Sequence, residues 1–314
     1  MSEPAPSPAG PSARRPLVSC VMTTWNGERY IRQAIDSALA QDYQPLEIVV
    51  IDDGSTDSTP EICRSYGDRI RYFQCAKCSK GGSTQVVRAY AEARGEYLAP
   101  LDHDDVWLPG KISRQVAALA AAPDAGAVFT RFREIDAGGF PRGTAPPAGP
   151  TCRVFHALLE TNGYCYSSSM FPGAVLQHVG HHDVDAGIGD WDLWLRIARH
   201  YPVVMIDEIL TEYRVHSGGY SIGRANMIRS SERVMNNQKD RVHPDCPDCR
   251  RAIGRRRDHL ASDWLAYMTA SMANRHWRAS LAALGQAWRL SPRGVLYWCR
   301  TGLTTAARRF QHPH

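Results

Sequence analysis

Apolar and polar positions change period along this chain in a regular way. Leu17-Val-Ser-Cys-Val-Met22 is a short, largely apolar run, and Leu46–Ile51, Ile70–Phe73, Tyr97–Leu101 and Ala127–Phe132 repeat it. Runs of this length without strict alternation read as strands buried on both faces. Helical periods lie between them. Ile31, Ala34, Ile35, Ala38 and Leu39 follow the i, i+3, i+4, i+7, i+8 pattern of one apolar face. Pro60 early and Glu61 in the first turn mark a second, shorter helix. Ser83–Arg94 is a third, stopped by Gly95, and Pro109 opens a fourth that runs through an Ala-rich stretch to about Ala122. Strand and helix in alternation predict an α/β chain, with a doubly wound, mainly parallel sheet covered on both faces. Ligands of such sheets sit beyond the carboxyl ends of the strands.

The pattern loosens further on. Asp136-Ala-Gly-Gly139 is a turn, and 141–151 is a Pro- and Gly-rich loop. A helix is expected near Arg153–Glu160, a strand near Tyr164–Met170, a helix over Trp191–His200, and strands at Val203–Met205 and Ile209–Val215. From about Asn226 every segment has a helical period. The expected division is a tail over 1–16, an α/β domain over 17–225 and a helical extension over 226–314.

Composition narrows the class. The chain has 314 residues, 43% hydrophobic, with 37 Lys and Arg against 32 Asp and Glu. A net charge of +5 spread this way does not by itself imply nucleic-acid binding. No run approaches the 18 or so apolar residues of a transmembrane helix. Met1–Pro16 lacks the apolar core of a signal peptide, so a disordered tail on a cytoplasmic protein is expected. The helical extension carries Arg250, Arg251, Arg255, Arg256 and Arg257 together with Trp264, Trp277, Trp288 and Trp298. It reads as a bundle packed on the core, and the same composition suits an anionic membrane surface. Nine cysteines, an odd number in a chain of this size, argue against a disulfide framework. Cys75/Cys78 and Cys246/Cys249 have zinc-ligand spacing within each pair, but the pairs are too far apart for a zinc ribbon; reduced loop cysteines are expected, with His243 noted three residues before Cys246.

The chemistry concentrates at two strand ends. Ile48-Val-Val-Ile51 runs into Asp52-Asp53-Gly54, and Tyr97–Leu101 runs into Asp102-His103-Asp104-Asp105. Two acidic clusters on one sheet edge suit a divalent cation, or donors such as ribose hydroxyls and base N–H groups. Asp102 and Asp104, one residue apart on an extended segment, point the same way. Other nucleotide chemistries fit less well. There is no Gly-x-Gly-x-x-Gly after the first strand, as a dinucleotide enzyme needs. Thr23-Thr-Trp-Asn-Gly27 replaces the Gly-rich basic phosphate loop of a nucleotidyltransferase, and Ile51 stands where an aspartyl phosphatase would need its first Asp. A nucleotidyltransferase or an inactive sugar-nucleotide binder stays as the alternative.

In order, Val18–Asn26, Ser37–Gln41, Glu47–Asp57, Ala93–Tyr97, Leu101–Asp105, Trp107-x-Pro-x-Lys111, Gly189–Arg196 and Tyr213–His216 resemble the motifs of family 2 glycosyltransferases, which have the GT-A fold. The resemblance covers roughly residues 17–220. It implies an inverting transfer of a sugar from a nucleotide diphosphate, UDP by default, to a hydroxyl in a bacterial surface polysaccharide, lipopolysaccharide or glycolipid. It places Thr23, Trp25, Asp53, Gly82, Asp102 and His103 on the nucleotide, and gives Asp52 either that role or the orientation of the turn. It puts Mn²⁺ or Mg²⁺ on Asp102, Asp104 and His216, with Asp105 expected to cap the next helix. Asp190 is the implied general base, with Gly189 where relatives often have Glu and Asp192 as the rival carboxylate. The implied partners are a nucleotide-sugar donor and a glycan or lipid-linked acceptor; the composition of the basic helices, which the resemblance does not cover, adds the inner face of the plasma membrane as a candidate peripheral contact.

Overall fold

A computed structural model describes residues 14–77, 83–149, 151–181, 189–219, 224–238, 242–243 and 245–301. The first half alternates as the periods require: β1 (Val18–Thr24), α1 (Ile31–Leu39), β2 (Leu46–Asp52), α2 (Thr59–Arg64), β3 (Arg71–Gln74), α3 (Ser83–Glu92) and β4 (Tyr97–Pro100). Then come β5 (Val106–Trp107), α4 (Lys111–Ala121), β6 (Ala127–Ile135), β7 (Pro141–Arg142), α5 (Phe155–Glu160), β8 (Ser169–Pro172), α6 (Gly173–Val179), α7 (Gly189–His200) and β9 (Val203–Arg214). Four helices follow: α8 (Arg224–Asn237), α9 (Pro247–Ala273), α10 (Trp277–Leu290) and α11 (Pro292–Thr301).

The strands form one nine-stranded sheet in the order β3-β2-β1-β4-β8-β6-β9-β5, with β7 paired to β6. The first four run parallel, and β8 is antiparallel to both β4 and β6. β6 and β9 are again parallel, with register shifts around Arg131. Successive residues of the apolar strands serve opposite faces. Val49 and Ile51 join Leu98, Phe129, Phe171 and Trp194 in one core; Ile48 and Val50 join Met22, Ile35, Ala99 and Ile112 in the other. A third core of Ile228, Leu260, Trp264, Leu265, Met268 and Ala287 holds the last four helices together.

Several elements differ from expectation. The stretch expected as one strand over Tyr164–Met170 begins with a 3₁₀ turn at Tyr166–Ser168 before β8. The turn frees its carbonyls for distant donors: Trp107 Nε1 donates to Ser167 O at 2.8 Å and Gln115 Nε2 to Ser168 O at 2.9 Å. The two strands expected at Val203–Met205 and Ile209–Val215 are the single β9, which absorbs its irregularity in the register shifts. The stretches β5, β7 and α6 are too short to show a period.

Candidate active site

β1 pairs in parallel with both β2 and β4, so the ends of those strands are neighbours. Asp53 N–H donates to Thr24 O at 2.9 Å, and Leu101 N–H donates to Val21 O at 3.0 Å. Strands lie about 4.8 Å apart, so the two acidic clusters flank the end of β1 at a separation on the order of 10 Å.

The turn after β2 has a fixed chemistry. Gly54 sits at φ +73°, and a Cβ there would lie 2.7 Å from the Lys77 backbone nitrogen. Asp52 is fully buried; its Oδ1 accepts from the Ser55 N–H (2.8 Å) and hydroxyl (2.6 Å), and its Oδ2 accepts from the Tyr72 hydroxyl (2.6 Å). Of the two roles considered for Asp52, its geometry is that of the turn. Asp53 is also buried, but faces other partners. Its Oδ1 accepts from Gln85 Nε2 at 2.7 Å, and its Oδ2 lies 3.0 Å from the Lys77 ammonium. The same ammonium stands 3.7 Å from the centre of the Trp25 ring, which is 52% exposed. Beside them Thr23 is half-buried, and Thr24 Oγ1 is buried with no hydrogen-bond partner. Gly82 lies outside the described residues.

The second cluster separates into structural and open carboxylates. Asp105 does not cap a helix. It is buried, its Oδ2 accepts from the Ser167 hydroxyl at 2.6 Å and its Oδ1 from the Arg214 N–H at 2.8 Å, while α4 starts after Gly110 without a side-chain cap. His103 packs its ring on Gly27, where a Cβ would lie 2.6 Å from His103 Cδ2. Asp104 Oδ2 lies 2.9 Å from His216 Nε2. The Arg214 guanidinium donates to the Asp104 carbonyl (2.7 Å), the Asp136 carbonyl (3.1 Å) and Gln33 Oε1 (2.7 Å), and lies 4.6 Å from the centre of the Tyr30 ring. One side chain thus ties β9, α1 and the acidic loop together. Its only signal in the sequence is its place beside His216.

Asp190 reaches this edge from the first turn of α7, where its Oδ2 accepts weakly from Asn162 Nδ2 at 3.4 Å. Burial raises its carboxyl above the usual range, against the pull of the Trp191 N–H and of Asn162. Asp102 is pushed up to about 8, first by burial and then by the charges of Asp104 and Asp190. Asp102 and Asp190 also act together on the hydroxyls of Tyr90 and Tyr166, which lie 2.8 Å apart and are raised chiefly by burial. Asp102, Asp104 and Asp190 therefore share one electrostatic environment. Asp192 does not join it. It is buried on another face of α7, with Oδ2 2.8 Å from Arg196 Nε and Oδ1 2.9 Å from Gln238 Nε2.

The residues present fit a hard divalent cation. Asp104 and His216 are already at the distance of shared ligands, and the shift on Asp102 has two like charges behind it that a cation would offset. Among the described residues Asp102, Asp104 and His216 do not all close to within 4.8 Å of one another, so Asp102 would reach an ion through water or phosphate.

The curled mixed sheet and the helical C-terminal region are those of the GT-A fold. The chain belongs to glycosyltransferase family 2: the model "Glycosyl transferase family 2" matches residues 19–171. An uncharacterised glycosyltransferase of Rickettsia typhi is 30% identical over 228 residues, which is 69% of this chain and 70% of that protein. One from Rickettsia felis is 34% identical over 210 residues, 64% of this chain but 35% of the relative, so the chain spans about a third of that protein's length. Among solved structures, the mannosyltransferase PcManGT from Pyrobaculum calidifontis, in complex with GDP-Man and Mn²⁺, has a TM-score of 0.62 at 21% identity, covering 97% of this chain and 90% of that one. S. aureus TarS 1-349, in complex with UDP-GlcNAc, has a TM-score of 0.55 at 15% identity, covering 87% and 91%. At these identities the likeness establishes the fold.

Proposed function

We propose that this protein is an inverting glycosyltransferase that moves a sugar from a nucleotide diphosphate, UDP by default, to a hydroxyl acceptor. The observation that carries the proposal is the acidic edge itself: Asp53 and the Asp102–Asp105 loop follow the strands that flank the end of β1, and Asp104 Oδ2 pairs with His216 Nε2 at 2.9 Å. Trp25 offers an exposed ring face for the base, and Asp53 is a buried acceptor for a base N–H or ribose hydroxyl, with Lys77 bridging the two in the present conformation. Thr24 Oγ1, buried and unpartnered, adds an unfilled hydrogen-bonding site at the same strand end. Mn²⁺ or Mg²⁺ on Asp104 and His216, with Asp102 beyond, would offset the charge on the departing diphosphate. Asp190 takes the acceptor's proton. The acceptor oxygen bonds to the anomeric carbon from the face opposite the phosphate, and the carbon–oxygen bond to the diphosphate breaks with its electron pair on the phosphate oxygen. A raised carboxyl suits this step, because a more basic carboxylate takes a hydroxyl proton more readily.

We assign residues 17–225 to catalysis and the helices beyond them to placement. The supporting feature is a set of exposed apolar side chains on α10 and α11, namely Trp277, Leu281, Trp288, Leu296 and Tyr297, in an arginine-containing region. No helix among the described residues is long and apolar enough to cross a membrane. The arrangement suits a peripheral hold on an anionic bilayer, near lipid-linked acceptors of a bacterial surface glycan.

The test is a panel of nucleotide sugars presented with Mn²⁺, read by thermal shift and by release of nucleoside diphosphate. Binding and slow hydrolysis of one donor, lost in Asp104→Asn, is expected. Release of pyrophosphate in place of nucleoside diphosphate would point to the nucleotidyltransferase alternative, and indifference to every donor would end the proposal.

A further inference from the structure

A second constellation lies away from the acidic edge, where the helical region meets the α/β body. Cys246-Pro-Asp-Cys249 opens α9. Cys246 is its N-cap, and its sulfur accepts the Cys249 N–H at 3.5 Å. Cys249 is buried and Cys246 is half-buried. Opposite them, the first turn of α5 presents His156, whose Nε2 lies 3.6 Å from Cys246 Sγ. The two sulfurs and the imidazole nitrogen all lie within 4.8 Å of one another.

Those separations match a particular coordination geometry. Zinc–sulfur bonds near 2.3 Å and zinc–nitrogen bonds near 2.05 Å at tetrahedral angles give an S···N edge of about 3.6 Å and an S···S edge of about 3.8 Å. The His156–Cys246 edge is already at that length. The backbone N–H on Cys246 Sγ supplies the outer hydrogen bond that metal-bound thiolates usually have. Two thiolates and an imidazole select a borderline-soft ion over the hard Mg²⁺ or Mn²⁺ of an oxygen site. The Cys-x-x-Cys spacing showed half of this set. The third ligand was not legible, because His156 is 90 residues upstream and only the packing of α5 on α9 brings it across. Cys75 is not part of the cluster; its sulfur accepts from Arg88 Nη1 at 2.9 Å, and Cys78 lies outside the described residues.

We propose that His156, Cys246 and Cys249 bind one zinc ion, with water as fourth ligand, and that this ion clips the C-terminal helices to the catalytic body. The Arg255–Glu160 ion pair at 3.4 Å bridges the same two helices. The clip bears on the candidate base through α5: Leu158 O accepts from Trp191 Nε1 at 2.8 Å, and Asn162, just past the helix, contacts Asp190. The site does not depend on the transferase reading.

The experiment uses the full chain, isolated under reducing conditions without chelator, and measures zinc by mass spectrometry. About one tightly held zinc per chain is expected, falling to near none in Cys246→Ser and Cys249→Ser and unchanged in Asp104→Asn. His156→Gln, a change at an exposed side chain, gives the same loss if the cysteine variants fail to fold. Cobalt in place of zinc should show thiolate charge-transfer and tetrahedral d–d absorption in the parent chain and not in Cys246→Ser. A folded parent chain without zinc, zinc that survives all three substitutions, or a Cys246–Cys249 disulfide in freshly isolated protein would each overturn the proposal.

Discussion

His216 Nε2 lies 2.9 Å from Asp104 Oδ2, joining the end of β9 to the acidic loop after β4 across 112 residues of chain. The aromatic support beside it is tilted: the Tyr30 ring centre is 4.8 Å from that of His216 at an interplanar angle of 56°, and the Arg214 guanidinium lies 4.6 Å from the same Tyr30 ring centre. If the pair holds the cation, His216→Ala should raise the Mn²⁺ concentration for half-maximal activation by roughly 10–100-fold. Asp104→Asn, which removes a ligand charge, should lower turnover on the order of 10²-fold or more. A Mn²⁺ titration of nucleoside diphosphate release checks both. Activation curves identical to the parent's would remove the pair from metal holding.

Asp190 and Asp192 are two residues apart and have opposite surroundings. Asp190→Asn should lower transfer by about 10²–10⁴-fold while the nucleotide dissociation constant stays put, since only the proton acceptor is lost. Asp192→Ala leaves Arg196 buried without its charge partner, and breaking such a pair costs about 3–5 kcal/mol of stability. Its signature is a lower melting temperature rather than a selective loss of chemistry. Calorimetry beside single-turnover kinetics separates the two. The roles are reversed if the Asp190 variant keeps full turnover and the Asp192 variant loses it at parental stability.

The sequence carried the parallel half of the sheet well, because a run such as Ile48–Ile51 states its own burial and ends in its own turn. The acidic edge followed from strand direction alone. What it did not carry was pairing between distant segments. Nothing in the period of Ser169–Pro172 says that β8 will run antiparallel between β4 and β6, since a four-residue strand is too short to show a pattern that marks its direction. The sequence set Asp105 apart from Asp102 as a structural carboxylate but gave it the wrong partners, a helix cap, because Ser167 and the Arg214 N–H, which it accepts from, come from other parts of the chain. Asp52 likewise depends on Tyr72 of the next strand.

Lys77 occupies the space between Asp53 and the Trp25 ring, so a base stacking on Trp25 must displace or share that ammonium. Stacking a base on an aromatic ring contributes about 1–3 kcal/mol. Trp25→Ala should therefore weaken nucleotide binding by roughly 5–150-fold and leave turnover at saturating donor near the parental value. Quenching of tryptophan fluorescence by UDP in the parent chain, absent in Trp25→Phe, gives an independent reading. A Trp25→Ala protein with unchanged UDP affinity places the base elsewhere.

Asp102 gives the site a pH dependence of definite sign. In the folded chain its carboxyl holds its proton up to about pH 8, against an ordinary value of 3.8. Below that ordinary value both states are protonated and the group contributes nothing. Between it and about 8 the folded state binds the proton that the unfolded state has released, so stability falls as pH rises through this window. Above it the penalty of a half-buried charge beside Asp104 and Asp190 applies. The chelator-treated parent should thus lose melting temperature relative to Asp102→Asn as pH rises from about 5 to about 9. Cation binding has the opposite slope, because a positive charge held nearby on Asp104 and His216 favours the Asp102 carboxylate over its protonated form; Mn²⁺ affinity should rise with pH and release protons below about pH 8. Thermal scans of both proteins with chelator, and calorimetric Mn²⁺ titrations in two buffers of different ionisation enthalpy, measure the two slopes. A melting difference that stays flat across the window would show that Asp102 is already charged in the folded chain, and the repulsion inferred among the three carboxylates would have to be relieved by some other group.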